Sequence, residues 1–196
     1  MSVWGWILIA AIVVILAVAV VAVRLALTRR RSERLREKFG PEYERTLSDA
    51  DDQRAAEADL AAREQKRKKL DIAPLSLESG EKYAERWRTV QIAFVDNPSS
   101  AVGDADRLVI EVMRERGYPV EDFDQRAADI SVDHPDVVEN YRAAHRIHLA
   151  QREREISTEE QRQALVHYRA LFDKLLETEQ GHTADEGKDN SQEARA

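Results

Sequence analysis

The residue types able to do chemistry gather in the C-terminal half of the chain. His145 and His148 stand three apart, which places both imidazoles on one face of a helix. Together with His134, Asp133 or Asp136 they offer the nitrogen and oxygen donors that zinc accepts. The spacing is a weak signature: there is no HExxH, and His145 also fits a core position beside Tyr141 with His148 turned to solvent. No metal site and no cofactor are assigned on these residues. His134, Tyr141 and His145 stay as the lining of an alternative site, in which a small molecule or metal would be sensed between helices.

A second cluster carries carboxylates. Asp122, Asp124, Asp129, Asp133 and Asp136, with Arg126 among them, crowd one helix–turn–helix connection. Paired carboxylates can perform general acid–base work, but no nucleophile stands beside them. Such residues more commonly cap helices or pair locally, and Arg126 and Asp129 have the i, i+3 spacing for that. Asp124, Arg126, Asp129, Asp133 and Asp136 are therefore read as a protein-contact surface.

Other chemistries are excluded by what is missing. Without cysteine there is no disulfide, thiolate site or cysteine nucleophile. The seven glycines are scattered singly, so no phosphate-cradling loop forms, and no Gly-x-Ser-x-Gly element occurs. No enzyme is expected. The formal net charge is −7; residues 24–38 carry seven basic and two acidic side chains, leaving −12 for residues 39–196. A domain so acidic repels phosphate backbones, which argues against nucleic acid as a partner.

The elements that would position these residues read as helices throughout, an all-α fold. Glycine and proline are scarce, and no strand alternation or internal repeat stands out. Tyr83, Trp87, Val90 and Phe94 mark one face of a helix over residues 77–95, which Asp96-Asn97-Pro98 ends. Ala101, Ala105, Leu108, Val109, Val112 and Met113 form the stripe of the next, closed by Gly117. A short helix shows Phe123, Ala127 and Ile130. Asp133-His134-Pro135 is predicted to cap and begin another, with Val137, Val138, Tyr141, Ala144 and a histidine inward. Ser157 and Glu160 have capping-box spacing, with Ile156 as a staple, ahead of a helix carrying Leu165, Tyr168, Phe172 and Leu175 up to Gly181. Eight of the twelve aromatic residues lie in this stretch, so about five helices are predicted to share one core.

The N-terminus has a different character. Residues 3–23 are uncharged and, at 1.5 Å per residue, about 31 Å long as a helix, the hydrocarbon thickness of a bilayer. Trp4 and Trp6 flank one end and a run of arginines from Arg24 the other, which orients a retained anchor with a short N-terminus outside. A cleaved signal peptide, with Ala17-Val18-Ala19 as its cleavage site, is disfavoured because no basic residue precedes the apolar run. The arginines read first as a topology signal, and secondarily as a recognition site for anionic lipid. Residues 29–70 are rich in Ala, Glu, Arg and Lys, interrupted at Gly40-Pro41. They read as a solvated stalk helix lacking the sustained leucines of a coiled coil. Asp71 to Ser76 reads as a linker, and residues 181–196 as a disordered tail.

The block Arg116-Gly117-Tyr118-Pro119-Val120-Glu121-Asp122-Phe123, continued by Gln125 to Pro135, resembles a segment of a hypothetical bacterial family of single-pass membrane proteins with a helical cytoplasmic domain. Phe39 to Tyr43 and His167 to Phe172 resemble it as well. The family has no assigned activity, so the resemblance implies a bacterial membrane setting and no catalytic residues. The organisation expected is an anchor over 1–28, a stalk over 29–70, a helical domain over 71–180 and a tail. The expected location is the inner membrane, held through residues 3–23, with the domain facing the cytoplasm. The expected role is a non-enzymatic interaction module for a protein partner.

Overall fold

A computed structural model describes residues 3–177; the side chains at 3–14 and 17 lie outside that description. The described elements are α-helices: α1 Val3–Phe39, α2 Pro41–Asp49, α3 Gln53–Arg67, α4 Leu77–Asp96, α5 Pro98–Glu115, α6 Phe123–Asp133, α7 Val138–Glu153 and α8 Thr158–Leu175. The chain divides after Leu60 into two compact units.

In the first unit the chain reverses at Gly40, whose φ of 47° is a backbone state that favours glycine, and Pro41 starts α2 where its missing N–H costs nothing. Asp52 Oδ1 accepts from the Ala55 N–H at 2.8 Å near the start of α3. The interruption expected at Gly40-Pro41 is present, and a second break at residues 50–52 divides the stretch over 29–70 further, into three helical pieces. Its few large apolar residues are consumed rather than solvated: Leu35, Phe39, Tyr43 and Leu60 are buried. The helix-forming composition does give helices, but the turns at Gly40 and at residues 50–52 bring separate faces together.

Most of the apolar run expected to cross the membrane falls on side chains outside the described residues. Among the described residues no helix is long and apolar enough to cross a membrane. The described part of α1 nonetheless leaves Ile15, Leu16, Val18, Val20, Val21, Val23, Leu25 and Leu27 each more than half exposed.

The second unit holds the five-helix bundle. Helix α5 packs on α4, α7 and α8, while α7 lies along α8 and α6 against α7. The apolar stripe of α5 (Ala101, Val102, Ala105, Leu108, Val109, Val112, Met113) is buried along its length. Trp87 of α4 stacks on Phe172 of α8 with ring centroids 4.6 Å apart. Ser76 caps α4, Asn97 caps α5 and Asp122 caps α6, each side chain accepting a first-turn N–H; Ser157 and Glu160 form the full capping box of α8.

Two expectations change here. Asp71 to Ser76 is no free linker: the Ala73 N–H donates to the Arg116 carbonyl at 3.0 Å, and Leu75 is buried in the core. Gly117 makes that approach feasible. Its φ is 93°, and a Cβ there would stand 2.3 Å from the Asp71 carbonyl oxygen. Asp133 does not cap α7; it ends α6, His134 is the C-cap, and α7 begins after Val137 with no side-chain cap. Gly181 and the tail over 181–196 lie outside the described residues.

Candidate functional site

The α6 cluster divides in two. Asp124 and Asp136 are exposed. Arg126, Asp129 and Asp133 are engaged within the second unit. Arg126 is buried, donating Nε to the Tyr141 hydroxyl at 2.9 Å and Nη1 to the Val120 carbonyl at 2.6 Å. It therefore does not form the local pair with Asp129 that its spacing allows. Asp129, fully buried, accepts from Lys66 Nζ at 3.1 Å and from Gln125 Nε2 at 3.1 Å. Asp133 Oδ2 accepts from Arg67 Nε at 2.5 Å and from the Tyr118 hydroxyl at 2.7 Å. Arg63 Nη1 adds a bond to Ser131 Oγ at 3.3 Å. The last turns of α3 thus present three cationic side chains to α6. Long-range pairs of this kind carry no signal in sequence spacing, so sequence reasoning misses Arg63, Lys66 and Arg67.

The alternative triad is only partly assembled. Phe123 links two of its members, stacked on His145 with centroids 3.7 Å apart and tilted against Tyr141 at 5.0 Å. His134 belongs elsewhere. Its charged surroundings are Arg116, Asp133, Asp136 and Glu177, whereas Tyr141 responds to Arg126 and Asp106. Burial depresses the His134 imidazole, Arg116 adds to that, and Nε2 has no hydrogen-bond partner.

Asp106 is the residue that organises the neighbourhood of His145. It sits in the apolar stripe of α5, between Val102 and Val109 on one face, and that out-of-place carboxylate is the available sequence signal. The Tyr168 hydroxyl donates to its Oδ1 at 2.9 Å, and His145 Nδ1 stands 3.9 Å from the same oxygen. That separation suits an ion pair but is too long for a hydrogen bond, and Nδ1 is buried with no partner. Burial pushes the Asp106 carboxyl up. The imidazole of His145, the Tyr168 hydroxyl and the charge of His148 outweigh it and hold the group below its ordinary range. Burial and the Asp106 charge push the Tyr168 hydroxyl far up, and burial lifts Tyr141 to about 12, so neither phenol ionises near neutrality. His148 is held low by burial, against the pull of Asp106.

Chemically this is a neutral-phenol, carboxylate and imidazole network around packed rings. Among the described residues no three histidine, aspartate or glutamate side chains converge to hold a metal ion. Two hollows open on the described surface. One of about 360 Å³ runs along Arg86, Val90, Arg107 and Glu111; one of about 600 Å³ runs along α1 and the start of α3. No family model, no curated protein and no solved structure matches the chain.

Proposed function

We propose that the chain is a membrane-tethered, non-enzymatic helical module that binds another protein at the inner face of the membrane. The observation that carries the tether is the row of exposed apolar side chains on α1 between positions 15 and 27, immediately followed by Arg29, Arg30 and Arg31. Water is a costly solvent for that surface, at about 25 cal/mol per Å² of apolar area, and lipid is not. Arginines at its end orient the second unit toward the cytoplasm. The resemblance to a bacterial membrane family points the same way.

The partner surface is α6 and its flanks. Its carboxylates already hold Lys66 and Arg67, so their chemistry is cation recognition, and Asp124 and Asp136 remain exposed for a basic partner. Mild crosslinking in membranes followed by purification should recover a stoichiometric protein. Asp124→Lys with Asp136→Lys should abolish its capture with helicity intact. Capture that survives both reversals would remove this surface from the reading, and no captured partner under any growth condition would remove the role.

One observation favours a second reading, a sensor. His145 Nδ1 is buried without a partner beside a carboxylate, an incomplete arrangement that a small polar ligand would complete. Thermal melts against a panel of metal ions and metabolites test it: stabilisation abolished by His145→Ala supports the sensor, and a flat panel rejects it.

A further inference from the structure

The 600 Å³ hollow of the first unit is lined by Thr28, Arg29, Ser32 and Glu33 of α1 and by Asp52, Gln53, Arg54 and Glu57 around the start of α3. Ser32 and Gln53, 21 residues apart in sequence, are brought to one place, with Gln53 Nε2 donating to Ser32 Oγ at 3.4 Å across the hollow. Part of the lining is already committed. Glu57 is buried, accepting from the Tyr43 hydroxyl at 3.0 Å and Gln53 Nε2 at 2.7 Å; hydrogen bonds and Arg31 hold it ionised below its usual range although burial opposes this. Asp52 caps α3. Among the described residues, the side chains of Arg29, Arg54 and Glu33 make no hydrogen bond or ion pair. The hollow therefore offers unpaired charge of both signs: two guanidiniums, the Glu33 carboxylate and the second oxygen of Asp52, with hydroxyls between them.

Depth fixes what could meet these groups if the tether is as proposed. Arg29 lies six residues beyond Val23, about 9 Å along the helix. The polar layer of a bilayer leaflet extends about 5–8 Å past the hydrocarbon, and an arginine side chain reaches back toward it. We infer that this hollow is a headgroup site for an amine-bearing zwitterionic phospholipid, its phosphate held by Arg29 and Arg54 and its ammonium by Glu33 and Asp52. Guanidinium binds phosphate through paired, charge-assisted bonds. The mixed lining decides the class: the carboxylates repel a headgroup that is only anionic, and a quaternary choline has no N–H to donate to them. This inference rests on the proposed tether.

The test is native mass spectrometry of the full chain released from detergent micelles containing equal amounts of dioleoyl phosphatidylethanolamine, phosphatidylcholine and phosphatidylglycerol. The ethanolamine lipid should be retained about tenfold over the other two. Arg29→Gln with Arg54→Gln should erase that preference. Arg88→Gln with Arg146→Gln, which removes the same charge outside the hollow and outside the arginine run, should leave it. Glu33→Gln should lower retention of the ethanolamine lipid without lowering that of the choline lipid. Equal retention of the three lipids overturns the site, as does equal loss in the two arginine pairs. Displacement by soluble phosphoethanolamine at the lipid's own concentration also overturns it, because the ligand would then be a free solute. Carbonate extraction of the same chain from membranes separates the two claims: an extracted chain overturns the tether and the site with it, whereas a retained chain without lipid preference overturns the site alone.

Discussion

The same side chains meet opposite fates in α1 and α5. On α1, Ile15, Leu16, Val18, Val23 and Leu27 are each about 60% exposed; on α5, Val102, Val109 and Val112 are fully buried. Neither helix is more helical than the other, so the difference lies in what each has been given to pack against. Helix α5 is surrounded by α4, α7 and α8. The described side chains of α1 from Ile15 to Leu27 have no protein cover, and polar partners begin only further along, at Arg31 with the Glu57 carbonyl. An apolar face withdrawn from water by neighbours stabilises the fold. One left exposed marks a surface built for another solvent or partner.

The comparison breaks most visibly at α1. Leu16→Arg with Val20→Arg should release the chain from membranes, since each arginine costs about 2.5–3.5 kcal/mol at the centre of a spanning helix. Val95 of α4 is 82% exposed but isolated, and Val95→Arg should change neither retention nor stability. Carbonate extraction reads both. Retention of the α1 double variant would show that lipid is not what covers that row.

The bundle gives the next effect. Trp87 stacks on Phe172 in the core, and Trp87→Ala should cost about 3–5 kcal/mol in a denaturant melt of the full chain in detergent. The Trp87 indole Nε1 has no partner, so the loss is one of packing and not of hydrogen bonding. Trp87→Phe should recover most of it. A loss under about 1 kcal/mol would mean the bundle is far more plastic than close packing permits.

How much of this was legible depends on where each interaction lies. The helices with 3–4 periodicity were readable because Tyr83, Trp87 and Val90, or Val109 and Met113, repeat within a few residues, and the burial follows those stripes. The capping box of Ser157 and Glu160 was readable for the same local reason, whereas the caps at Asn97 and Asp122 emerge only in the structure. The paired helices of the first unit were not, because residues 29–70 contain too few apolar residues to reveal a face; what folds them is the Gly40 turn and the Tyr43–Glu57 bond. The candidate cluster was half legible. Tyr141 and His145 do share Phe123, but Asp106 and Tyr168 enter from α5 and α8, 62 residues apart, and Lys66 reaches Asp129 across 63.

Asp106 sharpens the contrast between apolar burial and charge burial within one helix. Its carboxylate is favoured in the fold, so its folded value lies below its unfolded one. The stabilisation is present above the ordinary carboxylate range, near pH 4, and is lost as pH falls through the depressed value. Asp106→Asn should therefore lose about 1–3 kcal/mol at pH 7, and the gap to the parent should narrow below about pH 4. Urea melts at pH 7, 5 and 3.5 measure this, and carboxylates common to both proteins cancel in the difference. Parallel curves at all three values would remove the ionised carboxylate from the account.

The smallest effect is at a helix end. Helix α8 starts with a reciprocal pair, the Glu160 N–H donating to Ser157 Oγ at 3.2 Å and the Ser157 N–H to Glu160 Oε2 at 2.9 Å. Helix α7 starts after Val137, which provides no side-chain cap. Ser157→Ala removes one half of the box and leaves Glu160, which Arg154 and the Ser157 N–H hold ionised at about 2. The cost should be about 1 kcal/mol, and it should appear locally, as faster amide exchange at residues 159–161, while the core of α8 around Tyr168 keeps its protection. The first turn of α8 should then exchange like that of α7, which has no side-chain cap. Protection at 159–161 unchanged by the substitution would mean that packing of the buried Gln161 and Ala164, and not the cap, holds that turn, and core burial would then account for the ends of the bundle as well as its middle.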